Sequence, residues 1–269
     1  MALYFASLNS GSNGNCYYIG NDTEAVLVDA GISCRETERR MRKLDLPMER
    51  VKAIVISHEH GDHIKGAAVL AKRYQLPVYM TTKTWSSGVT GMLKDGLQSF
   101  TAHQPIVIGA LSVIPFPKWH DANDPHSFMI ESDGIRIGVF TDIGAPCEHV
   151  IRYFSQCHAA FLEANYDEEM LENGRYPVHL KNRIRGKEGH LSNMQALQLF
   201  NDHRPSFMSH LLLSHLSRDN NRPELVQELF SLYAGKTQVT VASRDEASAL
   251  FMIGDDAVRR VKAEQISLF

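Results

Sequence analysis

The chain has 269 residues, 43% hydrophobic and 22% charged, with a formal net charge of −3. That is an ordinary globular mix, long enough for a sizeable core, and its balance demands no nucleic-acid partner while leaving room for a local basic patch. Cys16, Cys34, Cys147 and Cys157 form no CxxC pair, which argues against a cysteine zinc site and, at this length, against a disulfide framework. The opening MALYFASLNSGSNGN lacks a basic n-region and a long apolar h-region, and no apolar run is long enough to cross a bilayer, so a soluble, cytoplasmic protein is expected.

In chain order, AVLVDAG (25–31) predicts a buried strand ending at Asp29, and CRETERRMRKLD (34–45) a surface helix stopped before Pro47. AIVIS (53–57) predicts a buried strand that delivers His58 at its C-terminal end, and IKGAAVLAKRY (64–74) a helix. SFMIESDGIRIGVFTD (127–142) reads as a hairpin turning at Asp133-Gly134. AAFLEA (159–164) is a further strand, and Ser192 with Gln195 makes a capping box for the helix NMQALQLFND. HLLLSH (210–215) is a strand ending in His215, and RPELVQELFSLYAG (222–235) is a helix with Pro in its first turn and Gly at its end. The alternation gives an α/β chain. Asp29, His58, Asp142, Glu163 and His215 each sit at or just past the end of an apolar strand, the way one rim of a sheet builds a site.

Histidine is in excess, with 13 residues, and ISHEHGDHIKG (56–66) packs three of them and two acids into six positions. His58 and His60 stand two apart, with Asp62 and His63 close behind. On a tight strand-to-helix loop this spacing points two pairs of ligands at two neighbouring ions. Imidazole plus carboxylate suits Zn²⁺, Mn²⁺ or Fe, and the pattern leaves the choice open. Two such ions about 3.5–4 Å apart clamp and deprotonate a bridging water, which makes a hydrolase the natural reading. His103, His149, His158, His179 and His203 have no ligand-spaced partner and read as structural or surface residues.

HEHGDH resembles the HxHxDH signature of the metallo-β-lactamase superfamily. The resemblance extends over nearly the whole chain and implies an α/β (α+β) αββα sandwich: two central β-sheets flanked by helices, with the site at one sheet edge. One domain over 1–262, followed by a tail at 263–269, is expected. The resemblance implies a structural role for Asp29, a first metal site of His58, His60, His120 and Asp142, and a second of Asp62, His63, Asp142 and His215. His126 competes with His120; the HDA context favours His120.

An alkoxide leaves a phosphodiester poorly unless protonated, so a general acid beside the metals is needed, and His is the usual choice. FLEANYD (161–167) and GHLSNMQA (189–196) resemble motifs of the tRNase Z-like phosphodiesterases, which implies Glu163 as orienter and His190 as proton donor beside the metal-bound Asp62. Asn165 departs from the Thr often found there. The opening SLNSGSNGNCYYIG, HDANDP, LKNRIRGKEGHLSN and HLSRDNN resemble the bacterial YycJ/WalJ-type group, which implies a 5′→3′ DNA exonuclease in DNA repair. In RYPVHLKNRIRGK (175–187), Arg175, Lys181, Arg183, Arg185 and Lys187 precede His190 as a stretch suited to a nucleic-acid backbone, with Ser192, Asn193 and Ser217 as candidate phosphate donors. The closing Gln265-Ile266-Ser267-Leu268-Phe269 resembles the peptide with which bacterial DNA-processing proteins dock on the sliding clamp, Leu268 and Phe269 filling an apolar pocket and Gln265 bonding at its edge. A small-molecule hydrolase of the same superfamily (cyclic phosphodiesterase or thioesterase) and a regulatory binding module are the competing readings.

Overall fold

The computed structural model describes residues 2–86 and 96–254. Fourteen strands are described: β1 (Leu3–Asn9), β2 (Cys16–Gly20), β3 (Ala25–Val28), β4 (Val51–Val55), β5 (Val78–Met80), β6 (Leu97–Ser99), β7 (Ile106–Ile108), β8 (Leu111–Pro117), β9 (His126–Ser132), β10 (Ile135–Phe140), β11 (Ala159–Glu163), β12 (His210–Ser214), β13 (Gln238–Val241) and β14 (Phe251–Ile253). They form two sheets, ordered β14-β1-β2-β3-β4-β5-β6 and β13-β12-β11-β10-β9-β8-β7.

Each sheet is antiparallel on one side and parallel on the other. In the first, the parallel run is β3 to β6; in the second, β10 to β13. The strands of a parallel run share a direction, so their C-terminal ends line one rim. The strands at these centres are apolar on both faces because both faces are covered. In β3, Val26 and Val28 point between the sheets while Ala25 and Leu27 point outward under Met41 and Leu70 of the helices Cys34–Lys43 and Ala67–Tyr74. In β12, Leu212 points between the sheets and Leu211 and Leu213 face Phe200 and Phe230 of the helices Asn193–His203 and Pro223–Ser231. The result is the expected four-layer αββα sandwich. Phe161 joins the sheets, its ring 6.0 Å from Phe5 and 4.8 Å from Tyr17.

Most predicted elements stand at or near their expected positions, including the hairpin, whose Asp133 and Gly134 adopt φ of 50° and 80°, and the Ser192–Gln195 capping box. The helix expected at 64–74 is divided into a single turn, Gly61–Ile64, and Ala67–Tyr74. Gly66 lies between them and donates to the Ala30 carbonyl, so close to the 30–32 backbone that a Cβ there would meet Ile32 O at 1.8 Å. The basic stretch contains a short helix, Val178–Ile184, with no buried residue. All four cysteines are buried and unpaired. Among the described residues no helix is long and apolar enough to cross a membrane. Gln265, Leu268 and Phe269 lie outside the described residues.

Candidate metal centre

The rim common to the two parallel runs gathers the predicted ligands. Ser57 and His58 follow β4, and the single turn Gly61–Ile64 carries Asp62 and His63. Buried Asp29 fixes this loop: it accepts Ser57 N–H at 2.8 Å and the Ser57 hydroxyl at 2.9 Å, and His63 Nδ1 donates to it at 2.7 Å. That bond sets the His63 tautomer and leaves Nε2 facing inward, 3.2 Å from Asp142 Oδ2. His120 is set the same way, Nδ1 donating to Gly189 O at 3.0 Å.

Four overlapping groups of possible ligands result among the described residues, including His58 with His63 and Asp142, and Asp142 with Glu163, His190 and His215. The donor atoms of His58, His60 and His120 lie within 4.8 Å of one another, and those of Asp62, His63 and His215 form a second such group. Asp142 stands between them, Oδ1 3.8 Å from His120 Nε2 and Oδ2 3.2 Å from His63 Nε2, the placement a bridging carboxylate requires. His120 Nε2, His215 Nε2 and Asp142 Oδ2 are buried without a hydrogen-bond partner. Buried polar atoms are rarely left so, and three nitrogen and oxygen donors orphaned at one place fit a pair of divalent cations. His126 does not compete: it is buried against Phe100, and its Nδ1 is bonded to Asp124 O.

Glu163, fully buried, holds more than the single partner expected. Its Oε1 accepts from His190 Nδ1 at 2.9 Å and from His215 Nδ1 at 2.8 Å, while Oε2 accepts the backbone N–H of Ile143 and Leu191. One carboxylate therefore orients both a metal ligand and the predicted proton donor. His190 stays partly open, in a cleft of about 270 Å³ that His60, Asp62 and buried His215 also line. A larger groove, about 580 Å³, lies by the helix Cys34–Lys43 and includes none of the clustered histidines.

Burial and charge divide the histidines. Burial pushes His58 well below its ordinary range, with the neighbouring His63 and Lys118 charges adding to it, and pushes His120 down to about 4. Burial opposes charge on His63 and His215 as well, but for His63 the carboxylates of Asp142, Asp29 and Asp62 prevail and raise it well above its usual value. Asp142, Asp62 and Glu163 raise His215 to about 10. With no cation bound, the carboxylates thus hold protons on two of the ligands.

Two residues of the site escaped the sequence reading. Asn15 is buried, with Nδ2 3.3 Å from Asp62 Oδ2, and its backbone N–H donates to Asp62 O at 2.7 Å. Its signal was the SNGNC opening, which spacing alone does not tie to a loop almost fifty residues on. Lys118 is buried two residues before His120 and donates to Thr141 O at 2.6 Å, bracing the residue before Asp142. A lysine inside the apolar run VIPFPKW was the signal.

The proposed phosphate contacts fare differently. Ser192 and Asn193 are corrected: both are buried and spent on the fold, Ser192 capping its helix and donating to Glu168, Asn193 bonded to Asn221. Lys181 donates to Glu172 O and Arg185 pairs with the Glu172 carboxylate at 3.0 Å, so the fold engages both. Arg183 lines the cleft, paired with Asp121; Lys187 lies over the Trp119 ring, 3.5 Å from its centroid; Arg175 is exposed. Ser217 lines the cleft.

Because the neighbouring carboxylates favour protons on His63 and His215 that a cation must displace, loading the protein with Zn²⁺ at neutral pH should release protons. Calorimetric titrations in buffers of different ionisation enthalpy measure this directly; a buffer-independent enthalpy would contradict the charge assignment.

The chain matches the family model described as the beta-lactamase superfamily domain over residues 24–215. It is similar to a Bacillus anthracis protein named exodeoxyribonuclease YycJ, 36% identical over 230 residues, covering 84% of this chain and 87% of that protein. It is similar to Streptococcus pneumoniae exodeoxyribonuclease WalJ, 30% identical over 226 residues, covering 82% and 84%. The fold matches the crystal structure of the metallo-beta-lactamase fold protein YhfI from Bacillus subtilis with a TM-score of 0.74 at 15% identity, covering 94% of this chain and 100% of that one. Fold, ligand geometry and relatives agree that the chain belongs to the metallo-β-lactamase superfamily.

Proposed function

We propose that this chain is a dinuclear metal-dependent phosphodiester hydrolase, a DNA exonuclease of 5′→3′ polarity acting in DNA repair. The observation that carries the reading is His190, open to the cleft, bonded through Nδ1 to buried Glu163 and 3.9 Å from Asp142 Oδ1. A site that only bound metals would not need a second, oriented imidazole beside them. The names of the YycJ and WalJ relatives support DNA as the substrate.

Divalent ions, whether zinc, manganese or iron, would supply Lewis acidity and water activation at this site. His58, His60, His120 and Asp142 would hold one, and Asp62, His63, Asp142 and His215 the other. Glu163 keeps the Nδ1 proton of His190 engaged, so the proton on Nε2 is the one free to move. Glu163 itself stays ionised: burial alone would raise the carboxyl, yet His190 and His215 hold it down to about 2. His190 can therefore donate to the departing alkoxide. Arg183, on the cleft wall, and exposed Arg175 supply positive charge for the backbone, with Ser217 as a hydroxyl donor.

The reading is tested with metal-reconstituted protein on 5′- and 3′-labelled DNA, matched RNA and a small phosphodiester. Stepwise shortening of DNA from its 5′ end, absent in Asp62→Ala, is expected; turnover of the small ester alone would move the function to metabolite hydrolysis. His190→Ala should lose about 10²–10⁴-fold on DNA, whose leaving group needs a proton, and less than about tenfold on a p-nitrophenyl ester, whose leaving group does not. Equal losses on both would remove His190 from the role of acid.

The C-terminal Gln265, Leu268 and Phe269 would place such an exonuclease on the sliding clamp. A peptide of residues 263–269 should bind purified clamp and lose binding when Leu268 and Phe269 become alanine; absence of binding by the unaltered peptide would refute this partner.

A further inference from the structure

The rim has one more polar strand end. Along the parallel run of the second sheet, Asp142 follows β10, Glu163 ends β11 and His215 follows β12. The next strand, β13, pairs parallel to β12, and Arg244 follows it by three residues. Neighbouring strands are about 4.8 Å apart, so Arg244 is rooted roughly one strand spacing beyond the second metal group.

Its guanidinium makes no ion pair among the described residues. Nη2 reaches two neutral acceptors at long range, Ser12 Oγ at 3.3 Å and Asn13 Oδ1 at 3.5 Å, and Nη1, shielded from water, has no acceptor. The nearby acids are engaged elsewhere: Asp219 accepts the Tyr176 hydroxyl at 2.9 Å and Glu246 pairs with Lys43, while Asp245 is exposed and its carbonyl accepts from Arg40. Ser12 belongs to the opening SLNSGSNGN motif, which also serves the metal site through Asn15 at Asp62 and through Ser10, whose Oγ accepts the His215 N–H at 2.7 Å. The Ser12 side of that loop lines the cleft together with His60, Asp62 and Tyr176. A half-buried guanidinium with weak neutral partners, one hydroxyl away from a metal cleft, is suited to an anion.

We infer that Arg244 and the Ser12 hydroxyl form a phosphate subsite for the linkage next to the scissile one. The inference rests on the phosphodiesterase reading above. Phosphates of one strand recur about every 3.4 Å of helix axis, so a strand whose scissile group lies on the metals presents its neighbour within reach of a side chain one strand spacing away. Arg183 and Arg244 would then hold the chain from opposite sides of His190 and His215. Arg183 does so while giving up an exposed ion pair with Asp121; Arg244 has no ion pair among the described residues to give up.

The test is equilibrium binding of a phosphorothioate single strand, which keeps its charge and resists cleavage, to the metal-loaded full chain across a salt series. Arg244→Gln should weaken binding about tenfold and reduce the slope of log affinity against log salt by about 0.7. Arg244→Lys should keep most of the slope, and Ser12→Ala should weaken binding without changing it. In wild type, scanning single neutral methylphosphonate linkages should reveal one position next to the scissile linkage that costs about tenfold, and that penalty should vanish in Arg244→Gln. Wild-type affinity and slope in Arg244→Gln, or persistence of the penalty there, would overturn the subsite and leave the phosphodiesterase reading standing. Wild-type protein that binds no oligonucleotide even at low salt would overturn that reading, and the subsite with it. If Arg244→Gln melts far below wild type, the Lys and Ser12 variants and the methylphosphonate scan decide the matter.

Discussion

A single carboxylate with no contact with water organises the catalytic side of this molecule. An ionised, fully buried glutamate is expensive unless every lone pair has a donor, and Glu163 has four: His190 and His215 on one oxygen, the Ile143 and Leu191 amides on the other. Satisfying that charge draws together the loop after β10, the segment before the helix Asn193–His203 and the end of β12. Removal of any one donor leaves a buried oxygen short of a partner, so the positions of His190, the proposed proton donor, and His215, a candidate metal ligand, are set by the same requirement.

The first sheet solves the same problem with Asp29. Its carboxylate is buried, takes both donors of Ser57 and fixes His63. Each sheet thus contributes one buried acid that orients a candidate metal-ligating histidine, Asp29 at His63 and Glu163 at His215. The backbone shows the cost of this arrangement. Asp29, Asp142 and His215, all at strand ends on the rim, adopt φ of 61°, 54° and 56°, a left-handed conformation that non-glycine residues seldom take. Strain of this kind, of order 1–3 kcal/mol per residue, persists only where surrounding bonds over-determine it, and here it turns each side chain out of the strand and into the site.

The two serine and asparagine positions beside His190 illustrate how sequence proximity misleads near a site. Ser192 and Asn193 have the chemistry of phosphate donors and the right neighbours in the chain. But the chain must start a helix there, and the first helical amides need acceptors before any ligand does. Ser192 caps that helix and Asn193 ties it to Asn221. The basic stretch is divided for a similar reason: a short helix with no buried face is held down by its charges, so Lys181 and Arg185 serve as tethers to Glu172 while Arg183 faces the cleft.

By itself the sequence determined a dense set of metal donors and an α/β alternation of strands and helices, and the layered sandwich followed from the family resemblance that the donor motif carries. The HEHGDH run concentrates donors too densely for a structural loop, and doubly covered strands must be apolar throughout, so both signals are local and readable along the chain. Polar residues at strand ends told which side chains would share a rim, because strands of a parallel run finish on the same side. What only the tertiary structure decided is which polar residues meet along the rim: Asn15 at Asp62, Lys118 under Thr141, Glu163 shared by His190 and His215, and Arg244 beside Ser12. These pairs lie 23 to 232 residues apart or divide one atom between two partners, and no periodicity encodes them. Most of them follow from strand order within one sheet, which sets loops distant in sequence side by side on the rim, and Arg244 reaches Ser12 because the two sheets pack face to face.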